Sequence, residues 1–197
     1  MLISKETEYQ VGDFVFRNFI QLSKEELLMI LRERNHPNVK QWMITNDDIS
    51  VCDHLKFVDS LVNREDAFYW LIVYNSVPIG VLSLTHCNYI TNEAEAGYYL
   101  FSSHQNAGIG LELQYSYKKL FFETFNVNNL PGEILWGNTN AYQISSFLGA
   151  KADGTIIKDG RKYMLMHTSK HDFESVGVKK LTSQFIKYIK ANPIIWE

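Results

Sequence analysis

The sequence predicts an α/β fold: a central mixed, mostly antiparallel sheet flanked by helices, with an extra helix at the C-terminus. Three observations predict it. Phe68 to Tyr74 is a continuous apolar and aromatic run of strand length, and after Asn75-Ser76 the run Pro78 to Leu84 is its hairpin partner. Tyr98 to Phe101 is a second apolar strand, followed by a short polar link and a glycine-containing turn into a helix with Leu111, Leu113, Leu120 and Phe121. Strands and helices alternate along the rest of the chain.

The other elements read as follows. Residues 1–10 are polar, either frayed or a short edge. Phe14 to Phe19 alternates as a first strand. Ser23 with Glu26 forms a capping box for a helix that turns Leu27, Ile30 and Leu31 inward and stops near Asn35, ahead of Pro37. Asn46 to Asp48 is expected to cap a second helix carrying Ile49, Leu55, Val58 and Leu61. Gly132 to Asn138 reads as a strand and Ala141 to Leu148 as a helix ended by Gly149. Thr155–Ile157 and Tyr163–Met166 flank an Asp-Gly turn as a final hairpin. Residues 178–191 form an amphipathic helix, packed on the body or serving a homodimer contact. The domain spans 1–170, with 171–197 as a C-terminal helical extension.

Composition narrows the function. At 197 residues and 46% hydrophobic, the chain fits one domain with a substantial core. A net charge of −3 gives no support for nucleic-acid binding. Two cysteines, Cys52 and Cys87, do not make a disulfide scaffold. Met1 to Gly12 is no secretory signal, and no apolar run approaches the ~20 residues of a membrane helix. A cytoplasmic protein without membrane partners is expected. His167 and His171 lack the glutamate of a metalloprotease motif, so no metal is expected. There is no Gly-x-Ser-x-Gly elbow for a serine hydrolase.

The strand–glycine turn–helix unit is the geometry of an anion site. The first N–H groups of a helix have no partner within it, glycine permits close approach, and the helix dipole favours negative charge there. The spacing excludes two common phosphate loops: Leu111 stands where a Walker loop needs lysine, and Leu113 where a dinucleotide loop needs its third glycine. What remains is Gln105-Asn106-Ala107-Gly108-Ile109-Gly110. This loop resembles the Gln/Arg-x-x-Gly-x-Gly/Ala motif of the GCN5-related N-acetyltransferases (GNAT), where it holds the pyrophosphate of coenzyme A. A second stretch, Arg34-Asn35-His36-Pro37-Asn38 with Trp42-Met43, Ile49-Ser50 and His54-Leu55, resembles the GNAT enzymes of the pseudaminic acid pathway. Those enzymes acetylate UDP-4-amino-4,6-dideoxy-N-acetyl-β-L-altrosamine, so the resemblance implies acetyl-CoA as co-substrate and a nucleotide sugar as acceptor.

The resemblance assigns roles. Backbone of Tyr99, Leu100 and Phe101 would bind the pantetheine arm, residues 105–110 the pyrophosphate, and Asn138 the arm again. Arg34, His36, Trp42, Met43, His54, Thr85 and His86 would bind the acceptor. Four have a plainer alternative: a salt bridge for Arg34, a turn cap for His36, core packing for Trp42 and Met43. Ser83 would relay the amine proton or be an ordinary strand serine. Glu133 would act as base or merely face solvent. In Asn138-Thr139-Asn140-Ala141-Tyr142-Gln143-Ile144-Ser145, the tyrosine that the family uses to protonate sulfur is replaced by Ser145, and Ala150 replaces the motif's last aromatic. The acid is then Ser145 through water, Tyr142 from the preceding turn, or absent. Other amines, including a protein N-terminus, and a coenzyme A-binding module without turnover are the competing functions.

Overall fold

A computed structural model describes residues 1–43, 45–105, 108–177 and 179–196. Its eight strands form one sheet: β1 (Tyr9–Val11), β2 (Phe14–Asn18), β3 (Phe68–Tyr74), β4 (Val77–Asn88), β5 (Glu93–Leu100), β6 (Asn129–Leu135), β7 (Lys151–Lys158) and β8 (Arg161–Ser169). Their order is β1-β2-β3-β4-β5-β6-β8-β7, with every neighbouring pair antiparallel except β5 and β6. The helices are α1 (Lys24–Asn35), α2 (Pro37–Lys40), α3 (Val51–Leu61), α4 (Gly110–Lys119), α5 (Thr139–Phe147), α6 (Lys170–Ser175) and α7 (Leu181–Ala191). The mixed, mostly antiparallel sheet with flanking helices is the expected class.

Two cores cover the two faces of the sheet. On one, Trp70, Ile72, Leu82 and Leu84 pack against Leu113, Phe121, Phe122 and Phe125. α4 widens into a π turn at Leu120–Thr124, which brings these phenylalanines inward together. On the other face, Leu71 and Val81 pack against Leu27 and Ile30 of α1 and Val58 and Leu61 of α3. β3 is buried on both faces, which explains its unbroken apolar sequence.

Several boundaries differ from expectation. The second helix begins at Val51 with Ser50 as its cap, because Asn35 binds both the N–H and the C=O of Ile49 and holds that residue extended. β6 begins at Asn129, three residues before the expected start, and includes Pro131. A proline is tolerated there because its nitrogen faces away from β8, toward a gap. β7 runs from Lys151 rather than Thr155, with its register shifted at Ala152/Gly154. α6 was not expected, and its Phe173 enters the main core beside Tyr115 and Phe122. Phe185 and Tyr188 of α7 lie on Phe147 of α5. Among the described residues, no helix is long and apolar enough to cross a membrane.

β4 and β5 approach closely at Gly80, where an added Cβ would lie 2.3 Å from the Tyr99 carbonyl oxygen. Backbone on both sides leaves no side chain to move aside. Gly80→Ala is expected to cost about 2–3 kcal/mol and to lower the melting temperature by roughly 5–10 °C, read by calorimetry.

Candidate active site

β5 and β6 pair at Glu93–Asn129 and then separate. The gap is a cleft of about 940 Å³. Hydrogen-bond parity shows what lines it. Phe101 donates to Ile79 of β4, so the odd-numbered residues of β5 bond to β4, and the N–H and C=O of Ala96, Tyr98 and Leu100 face the gap. Trp136 donates to Lys162, so the even-numbered residues of β6 bond to β8, and the backbone of Pro131, Glu133 and Leu135 faces the gap from the other side. One face of α4 (Gly110, Leu111, Gln114, Tyr117, Lys118) forms the floor, about 12 Å long. Ala141, Ile144 and Ser145 of α5 and Thr182 and Phe185 of α7 complete that side.

The glycine turn lies at the mouth. Gly108, at φ +78°, and Gly110 line the cleft. Ile109 precedes α4, and among the described residues no side chain caps the helix's first N–H groups. This open helix start fits an anionic diphosphate. Gln105 Nε2 donates to the carbonyls of Asn38 (3.1 Å) and Leu100 (3.4 Å). Asn106 and Ala107 lie outside the described residues. Asn138 lines the cleft and caps α5 by accepting from Ala141 N–H at 3.2 Å.

On the opposite wall, Asn38, Gln41, Trp42 and Met43 line the cleft. Arg161 holds this segment by donating to the carbonyls of Met43 (2.7 Å) and Gln41 (2.9 Å). Glu133 also lines the cleft. Its Oε1 pairs with Lys158 at 2.5 Å, and its Oε2 is buried with no partner among the described residues. It does not simply face solvent. Ser83 donates to the Gly97 carbonyl at 3.2 Å, behind the cleft-lining Gly97. Arg34 does not line the cleft: its Nη2 donates to the Thr45 carbonyl at 2.6 Å, and its buried Nη1 has no partner among the described residues. Burial lowers its pKa and the nearby Tyr99 opposes that shift.

Other expected site residues lie elsewhere. His54 is 6% exposed, packed in the helical layer with a bond to the Leu27 main chain, and burial lowers its pKa. It does not line the cleft, because its position on α3 faces the core. His36 caps α2, its Nδ1 accepting from Asn38 N–H at 3.2 Å. Thr85 and His86 sit at the end of β4 beyond the closed end of the cleft, where the exposed His86 pairs with Glu95 at 3.2 Å. Phe101 and Tyr99 direct their backbone groups to β4, so only Leu100 of that trio offers backbone to the gap. Tyr142 is a correction: its ring packs on Trp196 (5.5 Å) and lines a separate hollow with Tyr188. On α5, the cleft-facing positions are 140, 141, 144 and 145, and residue 142 points away from them.

Comparison with known proteins matches this geometry to a family. Residues 15–151 match the model of the acetyltransferase (GNAT) domain. The chain belongs to the GNAT family. It is 30% identical over 128 residues to "Acetyltransferase PseH" of Campylobacter jejuni serotype O:2, covering 65% of this chain and 78% of that one. The same enzyme from serotype O:23/36 matches equally. The spermidine N-acetyltransferase of Vibrio cholerae, solved with CoA and spermine, shares the fold with a TM-score of 0.75 at 15% identity, covering 82% of this chain and 98% of that one. The protein is an acetyl-CoA-dependent N-acetyltransferase.

The acetyltransferase cleft also holds polar groups that the sequence did not single out. Ser145 Oγ donates to Gln114 Oε1 at 3.2 Å, and Gln114 Nε2 donates to the Tyr98 hydroxyl at 3.1 Å. One turn deeper, Lys118 donates to Thr168 Oγ1 at 2.6 Å. Gln114 and Lys118 stand in the inward stripe 110-111-114-117-118, and a lysine in such a stripe was the available signal. Lys158 and Arg161 flank the Asp-Gly turn, and only the hairpin's register shows where they reach.

Burial lowers the pKa of Lys118 from 10.5 to about 7. The unfolded chain therefore binds the proton more tightly, so this group destabilises the fold most at and below pH 7, and the penalty disappears as pH rises past 10.5. Lys118→Met is expected to raise the melting temperature by roughly 5 °C or more at pH 6–7. The gain shrinks toward zero near pH 10, measured by calorimetry across that range.

Proposed function

We propose that this enzyme transfers the acetyl group of acetyl-CoA directly to the 4-amino group of a UDP-linked 4-amino-4,6-dideoxy sugar, in a ternary complex, in the cytoplasmic steps of pseudaminic acid synthesis. The similarity to acetyltransferase PseH carries the reading. The Arg34–Met43 segment supports it, because Trp42 and Met43 give the cleft an aromatic and apolar acceptor wall.

The uncapped start of α4 would hold the pyrophosphate, with Gly108 and Gly110 allowing its close approach. The backbone rows of β5 and β6 would bind the amides of the pantetheine arm. The Tyr98 or Leu100 N–H would face the thioester oxygen and stabilise the charge that develops on it. The sugar amine must be neutral to attack. Glu133, which lines the cleft, is the group suited to take its proton: Lys158 fixes one oxygen, and the other has no partner among the described residues. Most of the remaining rate comes from holding both substrates in one frame.

Thiol release from acetyl-CoA across UDP-amino sugars, spermidine and an N-terminal peptide tests the reading. Turnover confined to the UDP sugar is expected, and turnover only with spermidine or the peptide would overturn it. Glu133→Gln is expected to lower turnover about a hundredfold at pH 7 and by much less at pH 9, where the amine is already neutral.

A further inference from the structure

The family's proton donor is missing at Ser145, and Tyr142 is turned toward Trp196. A tyrosine reaches the same space from the strand. Tyr98 projects from β5 toward α4, its ring 5.6 Å from that of Tyr117. A Cβ added to Gly110 would lie 3.8 Å from the Tyr98 oxygen and 3.6 Å from Ile144 Cδ1, which places the hydroxyl between α4 and α5, beside residue 145. Gln114 links the two hydroxyls in one direction, accepting from Ser145 and donating to Tyr98. The Tyr98 oxygen is thus an acceptor in this chain of bonds, and its own hydrogen has no acceptor among the described residues. Tyr98, Gln114 and Ser145 all line the cleft.

We propose that the Tyr98 hydroxyl, oriented by the Gln114–Ser145 bridge, protonates the coenzyme A sulfur as it leaves. The proposal rests on acetyl transfer as the reaction, not on which amine accepts. The amine nitrogen forms its bond to the acyl carbon, the C–S bond breaks with its electron pair on sulfur, and the Tyr98 proton moves to sulfur. The proton lost by the amine leaves through Glu133 to solvent, and solvent returns one to Tyr98 after the thiol departs. Burial raises the Tyr98 pKa, opposed by the bond from Gln114, so the phenol stays protonated and loaded. Lys118 is the competing donor, but its bond runs to Thr168, opposite Leu130 and near the closed end.

Tyr98→Phe keeps the ring packing and removes only the hydroxyl. Turnover is expected to fall about a hundredfold, with the KM for acetyl-CoA changed less than about threefold. Ser145→Tyr added to Tyr98→Phe should recover at least about tenfold, by supplying a phenol from the helix. A second measurement needs no acceptor: the thiol of bound coenzyme A, followed by thiolate absorbance, should titrate about one pH unit higher in Tyr98→Phe, because the thiolate loses a donor. Unchanged turnover together with an unchanged thiol titration would overturn the proposal. So would loss of turnover in Lys118→Met with Tyr98→Phe fully active. If the wild type turns over none of the acceptors while the thiol titration shifts as expected, the substrate reading fails and this one stands.

Discussion

The structure depends on the place where β5 releases β6. After Glu93 and Asn129 the two strands diverge, and each leaves a row of N–H and C=O groups pointing at the other across a widening gap. A buried backbone group without a partner costs about 1–3 kcal/mol. The gap therefore stands only as a wet cleft or with a ligand that supplies amides to both rows. The proposed donor site is a part of the sheet left unpaired, and the pantetheine arm of coenzyme A is a chain of amides that would complete it.

Rigid supports hold the strands apart. β6 is held by seven register pairs with β8, and β5 by β4 as far as Leu100. Beneath the gap, α4 is fixed by Phe121 of its π turn and Phe125 just after it, both packed on Trp70. Pro131 lacks the N–H that would otherwise help β6 pair with β5. The strands are still close at Gly132, where an added Cβ would lie 4.0 Å from the Ala96 carbonyl oxygen. An anion site at a helix start and an amide-binding edge then share one axis, because α4 follows β5 through a single glycine turn.

Much of this was legible in the sequence. The apolar run of β3, the capping box at Ser23 and the Gly-x-Gly turn are local signals, and each gave the right element. The cleft wall at Trp42 and Met43 was found through its motif. What stayed hidden depends on register and helix phase. Tyr142 and Ser145 differ by less than one turn, yet one faces Trp196 and the other the cleft. His54 sits in a motif with Arg34, but its helix turns it into the core. Lys158 of β7 meets Glu133 of β6 only because both strands pair with β8, which lies between them. Tyr98 was read as part of a strand, and its hydroxyl gained meaning only when Gln114, sixteen residues on, was seen bonded to it.

The acceptor wall is tied to the donor site through side chains rather than through the sheet. Arg161, in the β7–β8 hairpin, holds the carbonyls of Gln41 and Met43 from one side. Gln105, in the glycine turn, holds the Asn38 carbonyl from the other and reaches Leu100 at the end of β5 with the same amide nitrogen. A diphosphate settling on the turn would fix Gln105, and with it the segment that carries Trp42 and Met43. In the proposed ternary complex, filling the donor half of the cleft would thus shape the acceptor half before the acyl group moves.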